Sequence, residues 1–245
     1  MKLTRSFSAP NRGKALVATA LCLGLATAAR SQQVLLQTNV AADTIPPRTG
    51  PNRPWFGHLY LGYGLAVGSS SLPLRYGLST GELQLGGRLK RRLGGNLALA
   101  ADLRYAYLRY RLDSEARLPA PFSGNPAAEQ HLAYHQLQGE GSVRLNFDRR
   151  RGNIVGRYLD VLAYGGYAIG TTYTAEAPAP GGGGSLEQTY HQPPYLSRWL
   201  GGVGLRLGSN TLALVGRYRL SSVFRPEQGL PELPRYVVGL ELGWF

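Results

Sequence analysis

The side chains best suited to proton transfer in this 245-residue chain are four histidines, His58, His131, His135 and His191. Imidazole changes charge near neutral pH, and beside a serine or an acid it equips acyl hydrolysis or acyl transfer. His131 and His135 reach Asp113, Ser123 or Ser185 only if loops fold together. No G-x-S-x-G run and no local His-x-Ser pairing accompanies them. Their spacing of four would place two metal ligands on one face of a helix, but the segment runs into a strand pattern. No metal and no other cofactor is expected.

Ion pairing is the chemistry that recurs along the chain. Arg88, Lys90, Arg104, Arg144, Arg198, Arg206, Arg217, Arg219 and Arg235 alternate with apolar residues, and Glu82, Asp102, Glu140, Asp160 and Glu241 share their phase. A period of two is the signature of strands, whereas helical spacing would mix Arg and Leu on every face. Eight such segments are predicted, at residues 58–65, 82–90, 97–107, 137–147, 159–169, 198–207, 212–220 and 235–244. Short turns follow the second, fourth and sixth segments, and the other four connections are long. The fold class expected is all-β: an eight-stranded, antiparallel, up-and-down barrel with short turns at one end and long loops at the other.

The dyad pattern alone leaves open which face looks out. A soluble barrel hides its apolar face, and a transmembrane barrel shows it. Basic side chains facing lipid would cost about 2–4 kcal/mol each at midplane, so three would rival a typical domain's whole stability of about 5–15 kcal/mol. The charged face therefore belongs inside, where carboxylates shared among guanidinium forks satisfy one another. An eight-stranded interior is just wide enough for side chains, so a mostly sealed, ion-paired lumen is expected. Its nine basic groups exceed its five acids by four, and that surplus would favour anions in any narrow path. Aromatics gather near the strand ends as interfacial girdles would: Trp55, Phe56, Phe147, Trp244 and Phe245 at one end, Tyr105, Tyr107, Tyr134, Tyr167, Tyr195 and Trp199 at the other.

Residues 1–28 hold Lys2, Arg5, Arg12 and Lys14, then an apolar run ending in Ala26-Thr27-Ala28, the layout of a cleaved signal peptide. The run is shorter than the roughly 20 residues a spanning helix needs. Removal of that segment lowers the formal charge from +13 to +9 and takes away Cys22, the chain's one cysteine. Residues 29–54, with Pro46, Pro47, Pro51 and Pro54, read as a periplasmic tail, and residues 55–245 as the barrel domain. The long loops carry three Arg (Arg75, Arg117, Arg225) against seven acids, so the outer surface is acidic within a basic chain. Gly181 to Gly184 in the third long loop suggest mobility. Basic groups buried in strands form no accessible patch with aromatics, which excludes nucleic acid as a partner.

The span Trp55 to Phe245, closing in Tyr-Val-Val-Gly-Leu-Glu-Leu-Gly-Trp-Phe, resembles the small eight-stranded outer-membrane barrels of the OmpA/OmpX type. The resemblance implies a bacterial outer-membrane location, contact with membrane lipid and lipopolysaccharide, and a structural or surface-interaction role. It implies that Gly239, Leu240, Leu242, Trp244 and Phe245 serve as a C-terminal signal for the barrel-assembly machinery. Trp244, not Phe245, lies in phase with Leu240 and Leu242. Some barrels of this size are lipid A acyl hydrolases or acyltransferases, so the rim histidines keep an enzyme open as the alternative, beside a narrow anion-preferring pore.

Overall fold

The computed structural model describes residues 50–114, 116, 118–119, 129–148, 154–178 and 184–244. Nine strands form, β1 Trp55–Val67, β2 Gly81–Arg92, β3 Leu97–Leu112, β4 Glu129–Asn146, β5 Arg157–Pro178, β6 Ser185–His191, β7 Trp199–Ser209, β8 Leu212–Arg219 and β9 Tyr236–Trp244. Each pairs antiparallel with its neighbour in the order β4-β3-β2-β1-β9-β8-β7-β5, and β4–β5 pairing closes the ring. Eight strands make the wall. The ninth, β6, pairs with the upper part of β5 alone, from Thr172↔His191 to Pro178↔Ser185.

The expected segments lie in the wall, and β3, β4 and β5 run well beyond the alternation toward the long loops. β3 continues to Leu112, β4 begins at Glu129, and β5 reaches Pro178. Two stretches predicted as loop are thus strand in part. A bulge makes the β5 extension workable: His135 pairs with Gly170 while Gln136 pairs with Ala168, so Ile169 is extra. An extra residue switches the phase of everything beyond it. Thr171, Tyr173 and Ala175 face inward as a result, opposite Tyr134, Leu132 and Gln130.

Side-chain direction follows one rule around the ring. Leu59, Leu85, Leu103, Val161, Leu205, Leu214 and Leu240 point out and are exposed, while Arg88, Arg104, Arg144 and Arg206 are buried. In water such a wall would be an uncovered apolar surface far larger than soluble monomers show. In hydrocarbon it is solvated, and every wall strand has two neighbours to satisfy its backbone.

The interior has two layers. Charges fill the middle. Toward the long loops an apolar cluster takes over, with Leu112, Leu132, Tyr110, Tyr134 and Tyr173 from the strands and Leu72, Leu196, Val223, Phe224 and Leu233 from the connections. The expected lumen was polar throughout. The extended strands instead carry apolar residues inward above the membrane, and the loops fold over them. Tyr134 and Tyr195, expected in the outer aromatic girdle, lie in this cluster, and the Tyr134 hydroxyl donates to the Val223 carbonyl at 3.1 Å. Phe56 is also displaced from its expected girdle, because its phase turns it to the periplasmic mouth, against Lys90.

Candidate functional site: the charged lumen and the outer rim

Arg206 on β7 is the centre of the lumen network. Its guanidinium lies 2.8 Å from Glu241, 3.0 Å from Asp160 and 3.7 Å from Asp102, with Glu140 also in contact. Arg88 pairs with Asp102 at 2.7 Å and Glu241 at 3.0 Å. Arg144 grips Asp160 through two nitrogens, Arg104 pairs with Glu140, and Arg217 meets Glu241 at 2.7 Å and Glu140 at 3.5 Å. Glu82 joins through an amide: Gln138 donates to it at 3.5 Å and accepts from Arg104 at 2.7 Å. The register supplies these meetings, since Arg88↔Asp102, Asp102↔Glu140 and Arg144↔Asp160 are cross-strand partners.

Rings and missing side chains make the space. The Tyr158 ring stacks on Arg144 at 3.5 Å, and Tyr60 lies 4.6 Å from Arg88. Gly208 leaves the room Tyr158 occupies, because a Cβ there would overlap the ring. Gly86 does the same beside Tyr60 and Arg104.

Four basic residues assigned to the lumen network stand elsewhere. Lys90 is at the periplasmic mouth, donating to the Pro51 carbonyl. Arg219 ties the extracellular mouth together, donating to the carbonyls of Ser221, Leu233 and Pro234 and pairing with Glu232 at 3.0 Å. Arg235 is half-exposed beside Glu232 at 4.0 Å. Arg198 is exposed and donates to the Tyr167 hydroxyl at 3.2 Å, because buried Leu196 and Leu200 flank it and leave no polar space inside. The surplus of four cations is these four. What stays in the centre is five guanidinium groups and five carboxylates.

The described histidines of the outer rim meet partners other than Asp113, Ser123 and Ser185. His135 sits on the outward face of β4, bonded to the Tyr105 hydroxyl through Nδ1 at 2.5 Å and packed 4.9 Å from the Tyr107 ring. His131 pairs in register with Arg111 and Thr174. Asp113 is occupied by the Ser114 backbone amide, which holds its carboxyl below the usual value, with Arg75 beside it at 3.4 Å. Ser185 and His191 are exposed at opposite ends of β6, and His58 faces the periplasmic half of the lumen. Ser123 lies outside the described residues, as do Glu115, Arg117, Gly181 to Gly183 and Phe245. Among the described residues no group of three or more His, Cys, Asp or Glu is placed to hold a metal ion.

The closing seam runs Leu59↔Trp244, Leu61↔Leu242 and Tyr63↔Leu240, and Trp244 points outward with the two leucines. The hairpin β5–β6 was not foreseen. Its signal was the alternation Leu186, Gln188, Tyr190 against Ser185, Glu187, Thr189, hidden by the glycine run before it.

An apolar wall facing out, a charge-balanced interior and short turns at one end define an eight-stranded antiparallel transmembrane β-barrel. No helix among the described residues is long and apolar enough to cross a membrane. Neither a protein-family model nor a curated protein matches the sequence. Among solved structures the chain is similar to Ail, the attachment invasion locus protein of Yersinia pestis, at 10% identity and a TM-score of 0.33, over 76% of this chain and 93% of that one. A second Ail structure, in complex with the heparin analogue sucrose octasulfate, matches at the same identity and score over 94% of its length. The class rests on the register and the direction of the side chains, not on this likeness.

Proposed function

We propose that this chain is a bacterial outer-membrane protein with a surface-interaction role, in which the barrel anchors an exposed sheet edge and performs no catalysis. One observation carries the reading: among the described residues β6 pairs only with β5, leaving the backbone of its other edge free outside the membrane. Six of its seven residues are exposed. A free edge is a template for an extended segment of another protein, which adds as a further strand through main-chain hydrogen bonds. The barrel below supplies rigidity.

The remaining parts of the reading follow from sequence and placement. Residues 1–28 are a cleaved signal, and residues 29–54 a periplasmic tail. Gly239, Leu240, Leu242, Trp244 and Phe245 address the chain to the assembly machinery, and lipopolysaccharide surrounds the outer rim. The balanced ion-pair network and the apolar layer above it support a sealed lumen.

A photo-cross-linking residue placed at Gln188 on whole cells tests the edge. Adducts to an external protein are expected at Gln188 and not at Leu78 in another long loop; equal labelling at both would defeat the proposal. Catalysis is checked by incubating the folded barrel with lipid A and following its mass. No acyl loss is expected, and loss that His135→Ala abolishes would make the chain an enzyme.

A further inference from the structure

The apolar wall is uneven. On β8, β9, β1 and β2 it is built of leucines, among them Leu61, Leu85, Leu214, Leu240 and Leu242. Across β3, β4 and β5 it sinks to a floor of small residues, with Ala101, Gly141 and Ala163 in one cross-strand row and Gly139 beside Gly165 in the next. A Cβ at Gly139, Gly141 or Gly165 would meet nothing within 4 Å. Leu99, Val143, Val161 and Val203 stand around the floor, enclosing a basin of about 670 Å³. That lies within the range of roughly 300–1,000 Å³ occupied by small-molecule sites.

The chemistry of the basin's end selects its occupant. Trp55 and Arg91 line it at the periplasmic rim, and the Arg91 guanidinium lies 5.3 Å over the Trp55 ring. No carboxylate among the described residues pairs with Arg91. A tryptophan and a cation at the end of an apolar basin mark the level of lipid headgroups. A phosphate there forms charge-assisted bonds with the guanidinium.

We infer that this basin binds one glycerophospholipid of the periplasmic leaflet, an acyl chain lying on the Ala101–Gly141–Ala163 floor and the phosphate on Arg91. The inference rests on the membrane-barrel reading. Trp55 and Arg91, at the ends of β1 and β2, fix the headgroup end, so the lipid is held at one place on the circumference.

The full chain, extracted from membranes in mild detergent, is incubated with phosphatidylglycerol, with diacylglycerol of the same chains, or with lipopolysaccharide, and native mass spectrometry reads the bound mass. One phosphatidylglycerol per chain is expected, retained about tenfold more than diacylglycerol, the difference a charged hydrogen bond supplies. Arg91→Gln removes that preference, and Gly141→Leu, whose Cβ meets nothing within 4 Å and whose side chain fills the floor, removes retention altogether. Leu214→Ala on the opposite wall changes neither. Retention unaffected by both basin variants, preferential retention of lipopolysaccharide, or a dimer that Gly141→Leu dissociates would overturn the inference. Heat-shifted gel migration of each sample reports the barrel separately. Loss of that shift in the parent chain overturns the membrane reading, whereas a normal shift without bound lipid overturns only the basin's assignment.

Discussion

Arg206 shows how a charge can be held where water is scarce. Burying an isolated ion costs several kcal/mol even after relaxation, and only close, multiple pairing offsets it. Arg206 meets four carboxylates that are themselves shared with Arg88, Arg104, Arg144 and Arg217. Removing it leaves Glu140, Asp160 and Glu241 short of a partner in the centre of the barrel. Arg206→Met should therefore lower unfolding stability by about 3–5 kcal/mol. Arg235→Gln, at a half-exposed pair 4.0 Å long, should cost less than about 1 kcal/mol. Urea unfolding of both variants refolded in lipid vesicles measures the difference. Similar midpoints would mean that Arg206 is no more than one of several interchangeable cations.

At the scale of the strand, phase decides everything. Leu103 on β3 faces out beside Gly87 and Gly139, and its neighbours Asp102 and Arg104 face in. Leu103→Arg places a cation in the lipid band and should cost about 2–4 kcal/mol if the site lies near midplane. Folding yield into vesicles should drop, while Leu78→Arg in the exposed first long loop leaves it unchanged. Equal yields would contradict the register. The same phase made most of the wall readable from sequence, because a strand buried on one side must alternate. It could not reveal the bulge at Ile169–Gly170, since a bulge is one more residue in a pattern that continues on either side. It also could not separate lumen from loop-covered interior. Tyr134 and Tyr195 fit a girdle by position, and only the folding of Val223, Phe224 and Leu196 over them makes them core. Arg198 failed for a related reason: its phase is inward, but its neighbours Leu196 and Leu200 had already claimed the space.

In the whole molecule the two interior layers lie in series, and on the sealed-lumen proposal each blocks a different traveller. The central charges leave cavities of about 10 Å³ beside His58 and beside Gln84, about the room for one water each. Five guanidinium groups and five carboxylates give an ion of either sign as much repulsion as attraction. Above them the layer is lined mostly by apolar side chains, and desolvating a charge there is costly. Below, Asn52 is buried at the mouth, its carbonyl and side-chain oxygens accepting from Arg92 at 3.2 and 2.9 Å, and Lys90 holds Pro51. Rearranging the salt bridges alone would therefore not open a path, because the loop-covered layer would still stand across it. Planar bilayers containing the folded chain should show no stable conductance at neutral pH, and Arg217→Gln should not create one. Truncation of the apolar layer by the pair Phe224→Ala and Tyr134→Ala should be needed before openings appear, and then only brief ones, since the charged centre remains. Large, long-lived openings in the parent chain would refute the series arrangement. Openings in Arg217→Gln alone would locate the barrier in the ion pairs instead of in the apolar layer.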